Sequence, residues 1–100
     1  MSVKILLTWN IKTNAEQEYY GFMVGSFLPW VNHKEISLTD AWVTLYGNGP
    51  QIMVGMVMPD LGAAHELLNS EEWQNLHDQL LEFVEDYNCK IINQKGAFQL

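Results

Sequence analysis

A chain of 100 residues, 48% of them hydrophobic and 17% charged, is the size of one domain (residues 1–100) and can close a core. Twelve acidic residues against five scattered basic ones leave a net charge of −7, which argues against nucleic acid and anionic membranes as partners. No apolar run approaches the roughly 20 residues of a bilayer span, and Met1-Ser2-Val3-Lys4-Ile5 lacks a signal peptide's apolar segment, so a cytoplasmic location is expected.

Residues 3–11 alternate, with Val3, Ile5, Leu7, Trp9 and Ile11 on one face and Lys4, Leu6, Thr8 and Asn10 on the other, the pattern of a strand. Thr13-Asn14-Ala15-Glu16 fits a capping box. The helix it predicts runs to about residue 31, with Tyr19, Phe22, Met23, Phe27 and Trp30 at helical spacing. Gly21 and Gly25, one turn apart, suggest a close approach to the sheet, and Pro29 should kink or end the helix. After a polar connection, residues 40–46 form a second strand, with Ala41, Val43 and Leu45 against Trp42, Thr44 and Tyr46. Gly47-Asn48-Gly49-Pro50 is a turn signal, so residues 51–58 should return as the second arm of an antiparallel hairpin.

A short helical piece at 61–69 leads to Asn69 and Glu72 at capping offset. Trp73, Leu76, Leu80, Phe83, Val84 and Tyr87 then read as the stripe of a second long helix, and residues 89–93 as the last strand. The lone Cys89 excludes an intrachain disulfide and, in that apolar run, reads as a buried, inert thiol.

The order β-α-β-β-α-β is the ferredoxin-like arrangement of the α+β class, with a four-stranded antiparallel sheet. Right-handed crossovers put both helices on one side of it. The other side then keeps Leu6, one of the two faces of residues 52–58 (Ile52, Val54, Met56 and Met58, or Met53 and Val57), and Trp42 and Tyr46. That apolar patch exceeds the few hundred Å² soluble monomers usually leave open, so a second copy is expected to cover it.

In this order of elements, in its two-faced strands, and in Ser70-Glu71-Glu72-Trp73-Gln74-Asn75-Leu76-His77 opening the second long helix, the chain resembles the dimeric α/β-barrel superfamily, which includes the antibiotic-biosynthesis-type monooxygenases. The resemblance implies two sheets packed face to face in a homodimer, with a cavity between sheet and helices in each protomer. The haem-degrading branch uses an Asn on the first strand, a Trp on the third and a His on the last helix. Of these only the His has a counterpart, His77; Met58 stands at the Trp position and Leu6 near the Asn position, with Asn10 further along the same face.

The candidate catalytic residues are therefore His77, to move a proton, and Asn10; either Asn10 or Tyr46 would orient a carbonyl or phenol. Leu6, Thr8, Trp42, Tyr46 and Met58 are the candidate ligand-binding residues, expected to meet His77 in one cavity between the sheet and the second long helix. His33 and His65 have no partner at metal-ligand spacing, and neither a metal nor another cofactor is expected. The implied function is a homodimer with a pocket for a small aromatic or hydrophobic molecule; if it is an enzyme, its chemistry would be cofactor-independent oxygenation or a simple proton transfer. The alternative is a non-enzymatic binding or assembly module whose helix-side cavity is filled by Trp30, Phe22 and Phe83.

Overall fold

A computed structural model describes residues 2–34, 36–43 and 51–93, with the side chains of 39–43 left aside. Strand β1 (Val3–Ile11) lies inside a four-stranded sheet of order β2-β3-β1-β4, with β2 (Ser37–Val43), β3 (Ile52–Met58) and β4 (Val84–Asn93). Every neighbouring pair is antiparallel. The topology is the expected α+β, ferredoxin-like one.

Register sorts the side chains into two sets, because residues opposite one another across a ladder share a face. Ile5 lies opposite Met56 and Ile91, and Leu7 opposite Val54 and Cys89. Ile5, Leu7, Trp9 and Met56 are fully buried, at 0% exposure. Tyr19 and Phe27, from the first helical segment, place their rings against Trp9, so the helices cover this face. On the other face stand Leu6, Thr8, Met53, Val57 and Ile92, which are only partly buried. The strand-three ambiguity is thereby resolved: Ile52, Val54, Met56 and Met58 turn toward the helices.

Helix α1 (Glu16–Phe22) passes through a π-helical turn (Met23–Phe27) into α2 (Leu28–His33) without a break. The Leu28 N–H bonds to the Met23 carbonyl, one residue further back than in an α-helix. Pro29 has no N–H to offer the ladder, and it falls just after the wide turn, near the start of α2, so the helix does not end there. Gly21 and Gly25 are exposed, and a Cβ at either would meet nothing within 4 Å, so no close approach to the sheet explains them. The expected cap at Thr13 is also replaced: Ala15 is the N-cap, and the Glu16 carboxylate accepts the Asn14 N–H at 3.4 Å.

Asp60 caps α3 (Leu61–Leu68), accepting the Ala63 N–H at 2.7 Å. Ser70 caps α4 (Glu71–Leu80), accepting the Trp73 N–H at 3.2 Å, while Asn69 closes α3. The second long helix stops at Leu80, short of the expected stripe. The Phe83 N–H bonds to the Leu80 carbonyl, the Lys12 N–H bonds to the Phe83 carbonyl, and Val84 pairs with Ile11. Val84 and Tyr87 therefore belong to β4. Among the described residues no helix is long and apolar enough to cross a membrane.

Candidate functional site

On the helix-covered side, where a cavity was expected, the described residues pack a cluster of aromatic rings. Trp9 sits at its centre and donates its indole N–H to the Tyr19 hydroxyl at 3.0 Å. Tyr87 stacks on Trp9 with 6.4 Å between centroids and 12° between planes. Trp30 packs on Trp73 at 5.7 Å, and Phe22 on Phe83 at 5.7 Å. His77 lies at the rim of this cluster, its side chain 25% exposed and its Nδ1 3.4 Å from an Asp78 carboxylate oxygen. Its ring meets Tyr87 edge-on at 4.8 Å. Burial pushes the Tyr87 phenol well above its ordinary range, and the neighbouring Cys89 adds to the shift. Burial likewise raises the Cys89 thiol, partly offset by its hydrogen bond with Tyr87. A thiol raised in this way is protonated at neutral pH and is a poor nucleophile.

Met58 is buried on this same side, but at the far end of the strands. It pairs with Val3, whereas Trp9 pairs with Ile52. There it borders a shallow depression of about 250 Å³ with Ala63, Leu67 and Ser70, beside the ion pair Lys34–Glu72 at 2.7 Å.

The opposite sheet face holds a separate hollow of about 270 Å³ lined by Leu6, Thr8, Met53, Asn88 and Lys90. Leu6 and Thr8, two of the expected ligand-binding residues, both line this hollow. By register Trp42 stands opposite Met53, in the row that continues through Thr8 to Asn88. Tyr46 lies outside the described residues.

Asn10, further along this face, has both ends of its amide engaged. Its Oδ1 accepts the Gln51 N–H at 2.7 Å and its Nδ2 donates to Asp86 at 3.0 Å, while Gln51 Oε1 accepts the Ile11 N–H at 2.9 Å. The three bonds fasten β1 to the start of β3 and to an irregular stretch of β4. Asn10 is thus a clamp between strands.

The expected convergence is accordingly corrected. Leu6, Thr8 and Asn10 lie on one side of the sheet, and His77 and Met58 on the other, each at a different end. The cause is the two-residue period of a strand: Leu6, Thr8 and Asn10 alternate with Ile5, Leu7 and Trp9, and it is the latter that meet the helices. A haem in the manner of the haem-degrading branch does not fit, since its residues do not converge and rings occupy the space. Among the described residues no three His, Cys, Asp or Glu side chains are grouped to hold a metal ion. Asn88 and Lys90, which also line the hollow, were not among the expected residues; extending the β4 alternation one residue before Cys89 places both on the Leu6 side.

No protein-family model matches the chain, and no curated protein does. Solved structures do. A DABB-family protein with a ferredoxin-like fold from Mesorhizobium loti superposes with a TM-score of 0.72 at 10% identity, covering 92% of this chain and 95% of that one. A NIPSNAP-family protein from Agrobacterium tumefaciens gives 0.69 at 17% identity, over 91% and 83% of the two chains. A protein from Bacteroides fragilis, described as dimeric, of unknown function and of ferredoxin-like fold, gives 0.66 at 12% identity, over 92% and 95%. At such identities the likeness establishes the ferredoxin-like fold and leaves activity open.

Proposed function

We propose that this protein is a homodimeric binding module in which two sheets close face to face into a barrel and a small apolar or aromatic molecule sits in the hollow at Leu6 and Met53. One observation carries the reading: Leu6, Met53, Val57 and Ile92 stand on the sheet face away from the helices, where a second copy would remove them from water. The dimeric Bacteroides fragilis neighbour supports the assembly at the level of fold. An enzyme of the antibiotic-biosynthesis-monooxygenase kind would need His77 and Asn10 on one substrate. They stand on opposite sides of the sheet, and the Asn10 amide is already occupied. Binding is therefore the function the geometry favours over catalysis.

Sedimentation velocity at micromolar concentration tests the assembly. The wild type should sediment at twice the 11.5 kDa of one chain. Val57→Glu places two carboxylates in a two-fold seam. At about 2 kcal/mol each, the variant dimer should weaken roughly a thousandfold and run as a folded monomer. A monomeric wild type, or an unchanged dimer in Val57→Glu, refutes the proposed seam.

A further inference from the structure

We infer that the molecule held on the sheet face is an organic monoanion, an apolar or single-ring body carrying one carboxylate that meets Lys90. The inference rests on the sheet-face reading above and adds the chemical class of the ligand.

The hollow is polar on one side only. Leu6 lies opposite Lys90, and Thr8 opposite Asn88 on one flank and Met53 on the other. From β3 toward β4 the lining thus passes from the Met53 thioether and the Leu6 side chain to a hydroxyl, an amide and an ammonium. The Thr8 hydroxyl, the Asn88 amide and the Lys90 ammonium can all donate hydrogen bonds, and a carboxylate is a small, singly charged group that accepts several at once. An apolar body directed toward Met53 completes the match. On the single chain the hollow measures about 270 Å³, near the lower end of the ~300–1,000 Å³ of ligand sites, which favours a small body.

Lys90 is exposed in the single chain, so a counter-charge matters only once the sheets close over it. The chain has twelve carboxylate side chains and five basic ones, and Lys34 has taken Glu72 at 2.7 Å. Among the described residues no carboxylate lies within 4.0 Å of the Lys90 ammonium. Closing the sheets would draw Lys90 out of water together with the copy related to it by symmetry. A desolvated ammonium is tolerated when an anion pairs with it. A ligand carboxylate supplies that anion, while a neutral ligand of the same shape leaves the ammonium unpaired.

The test titrates the full chain with benzoate and with its neutral counterpart benzamide, following heat and the methyl resonances of Met53 and Leu6. Benzoate should bind about tenfold or more tightly than benzamide and shift those methyls. Lys90→Met should abolish the preference, Lys90→Arg should keep it, and both variants should sediment as the wild type does. Equal binding of the two probes, or unchanged benzoate binding in Lys90→Met, overturns the anion assignment and leaves the sheet-face pocket standing. Binding that moves resonances around His77 and leaves Met53 unshifted overturns the anion assignment and the location together. A dimer that binds neither probe overturns the anion assignment while the assembly survives.

Discussion

Replacing Asn10 by Ala distinguishes a clamp from a ligand contact. The substitution removes the acceptor of the Gln51 N–H (2.7 Å) and the donor to Asp86 (3.0 Å). A neutral hydrogen bond contributes about 0.5–1.5 kcal/mol, and one to a carboxylate about 1.5–3 kcal/mol when shielded from water. The Asn10–Asp86 bond is exposed, so the lower end applies and the expected loss is about 2 kcal/mol in all. With a urea slope of about 1 kcal/mol per molar for a domain of this size, the midpoint should fall by roughly 2 M. The measurement is a urea titration read by tryptophan fluorescence at one fixed protomer concentration, because a dimer's apparent stability depends on it. Asn10→Asp is the companion. It keeps an acceptor for Gln51 but sets a second carboxylate beside Asp86, so like-charge repulsion should weaken it at neutral pH. A midpoint for Asn10→Ala within about 0.3 M of the wild type would refute the clamp. Loss of benzoate binding at an unchanged midpoint would return Asn10 to the binding site.

Two further outcomes follow from the aromatic cluster. Tyr19→Phe removes the acceptor of the buried Trp9 N–H, whose ring is 0% exposed, and should lower stability by about 1–3 kcal/mol in the same titration; a loss below about 0.5 kcal/mol would mean that the bond contributes little. The second outcome concerns alkaline pH. Tyr87, Tyr19 and Cys89 are all raised in the folded state, mainly by burial, so the folded chain holds these protons more tightly than the unfolded one. Their contribution is intact below the ordinary values of 9.0 for the thiol and 10.0 for the phenols, and is lost as pH rises through them toward the folded values. Melting temperature should therefore fall between about pH 8.5 and 10.5, and fall less in Tyr87→Phe. A flat profile over that window counts against the burial of these groups.

The sequence revealed the strands and their sidedness better than the helix ends. The alternation of residues 3–11 placed Ile5, Leu7 and Trp9 together and Leu6, Thr8 and Asn10 together, and both sets stand as expected. What composition does not encode is which set meets the helices: Leu6 and Thr8 beside Trp42 resemble a pocket wall as well as a seam. Ser70 and Asn69 are both good caps, and only the turn that follows α3 selects Ser70. Gly21 and Gly25 suggested close packing because glycine is costly inside a helix, and nothing in the described structure explains either one.

The misplaced end of the second long helix has a single physical origin, which also explains why His77 and Asn10 cannot cooperate. Between Thr8 and Asn10 the ladder to β4 slips: Thr8 pairs with Asn88 and Asn10 with Glu85, so β4 carries one residue more than β1. Asp86 takes a φ of 56° there, in the left-handed region that an Asp tolerates better than most residues. The extra residue changes the spacing of the face that meets the helices from two to three, so that Val84 and Tyr87 both point inward. A spacing of three after Leu80 is what a helix would also show, and in the sequence the two cannot be told apart. The same bulge brings Asp86 to Asn10 on the sheet face and Tyr87 under Trp9 and His77 on the helix face. One irregularity thus occupies both candidate catalytic residues, on opposite sides of the sheet. Among the described residues, the hollow at Leu6, Thr8, Met53, Asn88 and Lys90 is a place free of that irregularity where apolar and polar side chains face the same space.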